Sequence, residues 1–80
     1  MFNKVLSVHP ESDCVLLVGF VDGTQKKYDI KQLFAKFPVF ETLRTDHDLF
    51  NSVKVDQGGY GVSWNDELDL SCNELYARGV

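Results

Sequence analysis

Eighty residues carrying 44% apolar side chains and a formal net charge of −4 describe one small globular domain, too apolar for a disordered chain. A chain of this length buries only about 60% of the surface its unfolded form exposes, so homodimerisation or a partner subunit is a natural supplement to its core. The acidic balance disfavours nucleic acid, whose backbone is bound mainly by Lys and Arg that displace counterions.

The charge is unevenly spread. Residues 24–37 hold Lys26, Lys27, Lys31 and Lys36 against Asp29, a balance of +3. Residues 46–74 hold seven acids against Lys54, a balance of −6. The lysine stretch, Lys26, Lys27 and Lys31 above all, is one candidate contact surface, suited at most to a weak, salt-sensitive touch on nucleic acid. Cys14 and Cys72 do not make a disulfide scaffold, and the opening "MFNKVLSVHPES" lacks the charged and apolar regions of a secretory signal. "VLLVGFV" is the longest apolar-plus-glycine run, far short of the roughly 20 residues of a membrane span. A cytoplasmic location with no membrane contact is the expectation.

In chain order, "KVLSVHP" reads as a first strand stopped by Pro10, which has no N–H for a ladder. "CVLLVGF" is apolar at both alternating sets, Cys14, Leu16, Val18 and Phe20 against Val15, Leu17 and Val21. That pattern predicts a central strand covered on both faces. Asp22-Gly23 is a hairpin turn, and "TQKKYD" returns as an edge strand guarded by its lysines.

Asp29 is placed to cap a helix over "IKQLFAKF", where Ile30, Leu33, Phe34 and Phe37 fall at helical spacing on one stripe. Pro38 ends that helix and opens a second short helical segment that turns Phe40 and Leu43 inward. "RTDHDLF" reads as a connecting turn. "SVKV" and "YGVSW" read as two strands around "DQGG", with Tyr60, Val62 and Trp64 on one face. Leu68 and Leu70 share a face across Asp69. Ser71 and Glu74 form a reciprocal capping box for a short helix, "SCNELYARG", closed by Gly79 in the left-handed conformation. The whole predicts an α+β domain over 1–80: a small antiparallel sheet of about five strands, in the order β-β-β-α-β-β-α, with one main helix and a short C-terminal helix.

Few residues look like chemistry. Asp66, Glu67 and Asp69 crowd one turn and strand, but the loop pattern of a calcium site is missing. Paired carboxylates act as acid and base only when they converge in a cleft with separated pKa values. Cys72 would open the last helix, where the helix dipole lowers a thiol pKa, yet a nucleophile also needs a base and neither His9 nor His47 stands in a motif with it. No cofactor is expected: "DQGGYG" is not a dinucleotide fingerprint, and no phosphate loop occurs. Asp66, Glu67, Asp69 and Cys72 remain the candidates for an enzyme or metal-binding alternative.

The element order, together with Phe20, Asp22, Gly23, Asp29, Leu49, Phe50, Val55, Gly61, Trp64, Asp69, Leu70, Leu75 and Tyr76, resembles a bacterial family, the domain of unknown function 2442. Its marks are an F-x-D-G turn, a W-x-D region and a D-L-x-x-x-x-L-Y end. The resemblance implies a compact α+β domain with no established catalytic residues. It also implies relatives fused to a helix-turn-helix domain, or encoded beside a second small domain in an arrangement similar to toxin–antitoxin pairs. The 80 residues hold no such helix pair, so a DNA-linked role would come through a partner. The expectation is therefore a non-catalytic interaction module that binds another small protein encoded nearby, the antitoxin-like or regulatory member of a gene pair.

Overall fold

The most apolar stretch of the chain lies in the middle of a three-stranded antiparallel sheet. The computed structural model describes residues 3–80, so Met1 and Phe2, part of the N-terminal stretch read for a secretory signal, lie outside it. Strand β2 (Val15–Phe20) pairs with β1 (Val5–Glu11) on one side and β3 (Gln25–Asp29) on the other. Leu16, Val18 and Phe20 are buried, with Cys14 just before them and Tyr28 opposite Leu16. The alternate set is not covered as expected: Val15 and Leu17 are half-buried and Val21 is exposed. The core lies against one face of this sheet, so only one side-chain set of β2 enters it fully.

Pro10 does not stop β1. The bond from Phe20 N–H to Thr24 C=O sets the even residues of β2 to bond β3. Pro10, opposite Leu16, therefore directs its missing donor away from the ladder, on an edge strand where proline costs nothing. The turn between β2 and β3 forms as predicted, with Gly23 at φ +91° and the Asp22 carboxylate accepting from Thr24 N–H at 2.8 Å. Lys27 and Val80 exchange two backbone hydrogen bonds, 2.8 and 2.9 Å, along the outer edge of β3.

The predicted main helix is absent. Asp29 does cap, accepting from Lys31 N–H at 2.9 Å, but it caps a 3₁₀ turn over Ile30–Leu33. Pro38 keeps Phe37 out of the helical region (φ −132°, ψ 83°), and the run before it closes as a single tighter turn. A 3₁₀ turn aligns positions i and i+3, so Ile30 and Leu33 are still buried, together with Phe34. Phe37, the fourth member of the stripe, is left 48% exposed. Pro38–Glu41 forms a second 3₁₀ turn leading into α1 (Thr42–Thr45), with Phe40 and Leu43 inward as expected. The predicted connecting turn instead contains α2 (His47–Asn51), capped by Asp46, whose carboxylate accepts from Leu49 N–H at 3.0 Å.

A second antiparallel sheet follows: β4 (Lys54–Val55), β5 (Gly61–Ser63) and β6 (Asp69–Ser71), in that order. The α+β class is as expected, but among the described residues six strands in two three-stranded sheets replace the single sheet of about five. Gly58 and Gly59, at φ +81° and +75°, make the β4–β5 loop. Tyr60 is still in the helical region (φ −77°, ψ −9°). It therefore falls outside the alternation that buries Val62 and Trp64, and is 70% exposed. The Trp64 indole N–H donates to Phe50 C=O at 3.0 Å, tying the second sheet to α2.

Helix α3 (Cys72–Arg78) ends the chain, with Ser71 Oγ accepting from Glu74 N–H at 3.1 Å. Only half of the capping box forms. The Glu74 carboxylate turns instead to accept from the Tyr28 hydroxyl at 2.6 Å. Gly79 is extended (φ −72°) rather than left-handed. Its hydrogen atom is needed for space, because a Cβ would stand 2.6 Å from Leu75 O and 2.9 Å from Lys26 Cβ. The buried side chains of both sheets and the helical segments form one cluster.

Candidate functional site

The sequence candidates separate once folded. Asp66, Glu67 and Asp69 are exposed. The Asn65 side chain, accepting from Glu67 N–H and Leu68 N–H at 2.9 Å each, shapes their turn. Among the described residues no group of three or more His, Cys, Asp and Glu is placed to hold a metal ion. Cys72 opens α3 as predicted but is buried. Burial, and after it the Asp22 carboxylate, pushes its thiol up, so desolvation outweighs the dipole of a seven-residue helix.

The lysines do not share a face. Lys26 donates to Tyr76 C=O at 2.6 Å and lies 4.3 Å from the Tyr76 ring centroid. Lys27 points the other way, 3.4 Å from Glu11. Lys31 bridges Asp13 and Asp29 at 3.1 and 3.0 Å. Each is engaged within the fold, and the predicted positive surface is dispersed.

Two hollows remain. One, of about 490 Å³, lies against Asp13, Cys14, Arg44 and His47. Its backbone is unusual, since Asp13 and Cys14 both have positive φ (62° and 60°), a conformation that costs about 1–3 kcal/mol per non-glycine residue. Lys31 holds it in place, its ammonium donating to Asp13 C=O. The Cys14 thiol faces Leu43 C=O at 3.8 Å, and its pKa is raised, mainly by burial, so it is not poised as a nucleophile.

The other hollow, about 400 Å³, is a groove between the 3₁₀ segments and the β6–α3 unit. Leu33, Phe40 and Leu70 form its floor, and Phe37 and Val39, each 48% exposed, form one wall. Gln32 and Lys36 border that wall. Across from them stand Glu67 and Asp69, then Glu74 and Arg78 one helical turn apart on α3. Lys36, Glu67, Asp69 and Arg78 form no ion pair among the described residues. An apolar wall with free charges of both signs around it suits a docked polypeptide better than a buried small substrate.

Of the sequence candidates Glu67, Asp69 and, from the lysine stretch, Lys36 reach this groove. Local pattern hides its apolar wall, because it places Phe37 on a helix stripe and Val39 at a helix start. No helix of the described residues is long and apolar enough to cross a membrane.

No curated protein and no solved structure matches the chain. Its sequence does match a family model described as protein of unknown function DUF2442, over residues 5–80. That span takes in every strand and helix above, and on it the chain belongs to the DUF2442 family.

Proposed function

We propose that this chain is a non-catalytic interaction module that binds another protein through the groove between the 3₁₀ segments and β6–α3. One observation carries the reading. Phe37 and Val39 stand half-exposed side by side over a buried floor, where a monomer of this size gains from covering them. The unpaired charges around them supply the polar rim that transient interfaces use for register and encounter rate. The partner class is a small protein encoded beside this one, which this chain neutralises or regulates in the manner of an antitoxin.

The test is co-expression with the neighbouring gene product, followed by co-purification of the pair. Val39→Asp should leave the fold intact and weaken association about tenfold or more, the ~1.4 kcal/mol scale of a central interface residue. If the two proteins do not associate and co-expression changes nothing for either, the proposal fails.

A further inference from the structure

Sheet edges decide what else a fold can pair with, because each carries backbone donors and acceptors in search of partners. Here the outer edge of β3 is closed by Val80. The outer edge of β1 lies beside β4 and the β4–β5 loop, and a Cβ on Gly59 of that loop would stand 2.7 Å from Val5 O. The edge of β6 ends its sheet, and among the described residues no other segment bonds to it. Trp64 N–H bonds Leu68 C=O and Cys72 N–H bonds Tyr60 C=O, which sets the phase of the β5–β6 ladder. Asp69 and Ser71, opposite Ser63 and Gly61, are then the non-bonded pairs and turn their backbone groups away from β5; the Ser71 C=O begins α3, which leaves both N–H groups and the Asp69 C=O on the open edge. Asp69 and Leu70 line the groove and no residue of β5 does, so the groove borders this outer edge.

We infer that the groove takes an extended peptide segment which adds as a fourth strand to β6, with an apolar side chain against Phe37 and Val39 and flanking basic side chains opposite Asp69 and Glu67. The inference deepens the interaction reading above and rests on it. The pattern follows from β6 itself, where Leu70 faces the floor and Asp69 faces out. Residues on a neighbouring strand pair with those on the same face, so the incoming segment alternates apolar toward Leu70 with basic toward Asp69. Glu67 and Asp69 have no counter-ion among the described residues. Lys36 and Arg78, across and further along the groove, repel a basic side chain there and so fix the register.

The probe is a terminally blocked hexapeptide alternating valine and lysine, titrated into the ¹⁵N-labelled chain. At about ten times Kd, amide exchange at Asp69 and Ser71 should slow about tenfold, because only the free fraction exchanges. The same peptide with glutamate in place of lysine should not bind, and the E67Q/D69N double variant should bind the lysine peptide several-fold more weakly, with little salt dependence left. No spectral change at millimolar peptide overturns the inference. So do shifts confined to Phe37 and Val39 with Asp69 and Ser71 exchanging as before, which would mean side-chain docking alone. In the complex with the neighbouring gene product, unprotected Asp69 and Ser71 amides would overturn strand addition and leave the interaction reading standing; absence of any complex would overturn that reading.

Discussion

Two strand glycines, Gly19 in β2 and Gly61 at the start of β5, should respond differently to one added methyl group. Neither has positive φ, so alanine strains no backbone dihedral at either site, and the difference rests on what the new Cβ meets. At Gly61 it runs into the Leu70 carbonyl oxygen and lies 3.1 Å from Ser71 Cα and 3.2 Å from Leu70 C. All three are backbone atoms of β6, and no rotamer change moves them. Overpacking of this kind costs about 1–3 kcal/mol, offset by roughly 0.4–1 kcal/mol of entropy removed from the unfolded chain. Gly61→Ala should therefore lose about 1–2 kcal/mol, which lowers Tm by roughly 5–15 °C in a domain this small. At Gly19 the Cβ meets Ser7 Oγ at 2.7 Å, the tip of a half-buried side chain that rotates aside. Gly19→Ala should fall within about 0.5 kcal/mol of the parent and has the unfolded-state entropy in its favour. Urea unfolding followed by circular dichroism measures both. If Gly61→Ala matches the parent, or Gly19→Ala loses as much, the β5–β6 approach argued here is wrong.

Two further outcomes follow from buried groups. Burial, and then the hydrogen bond to Glu74, raises the Tyr28 pKa well above the ordinary tyrosine value. A group held in its protonated form by folding contributes its full stability below its unfolded pKa, about 10, and loses it as pH climbs beyond. The urea midpoint of the parent should therefore decline between about pH 10 and 11 more steeply than that of Tyr28→Phe. At neutral pH this variant should cost about 1 kcal/mol, because water can reach half-buried Glu74 and replace the lost donor; equal alkaline slopes would contradict the burial of that hydroxyl. Cys14 and Cys72, both buried with thiols pushed up by burial, should react with a thiol reagent at neutral pH only as fast as the chain opens. Rapid labelling of native Cys72 would restore its claim to reactivity.

Local chemistry was legible wherever one residue acts on its immediate neighbours. Asp22-Gly23 turns, Asp29 and Ser71 cap, and Pro38 begins a helical turn, because each works through a hydrogen bond or a dihedral within three residues. The buried set was largely legible too: Leu16, Val18 and Phe20, then Phe40, Leu43, Leu68 and Leu70, all lie in the core. Misreadings cluster where distant segments compete. Glu74 has two possible partners, its own helix start and Tyr28 from β3, and the distant one wins by supplying a hydroxyl donor at 2.6 Å. Phe37 fits a helical stripe only if it is itself helical, and Pro38 after it holds its backbone outside that region.

The groove shows the same division. Its acidic side is a run of adjacent residues, Glu67 to Asp69, plain in the sequence. The wall that faces them, Phe37 and Val39, is some 30 residues earlier in the chain, by residue number. Periodicity and capping act along the chain and determine turns, helix starts and which side chains are apolar enough to bury. Which edge of a sheet is left open, and what stands across from it, depends on how separate segments pack together, and only the folded chain decides that.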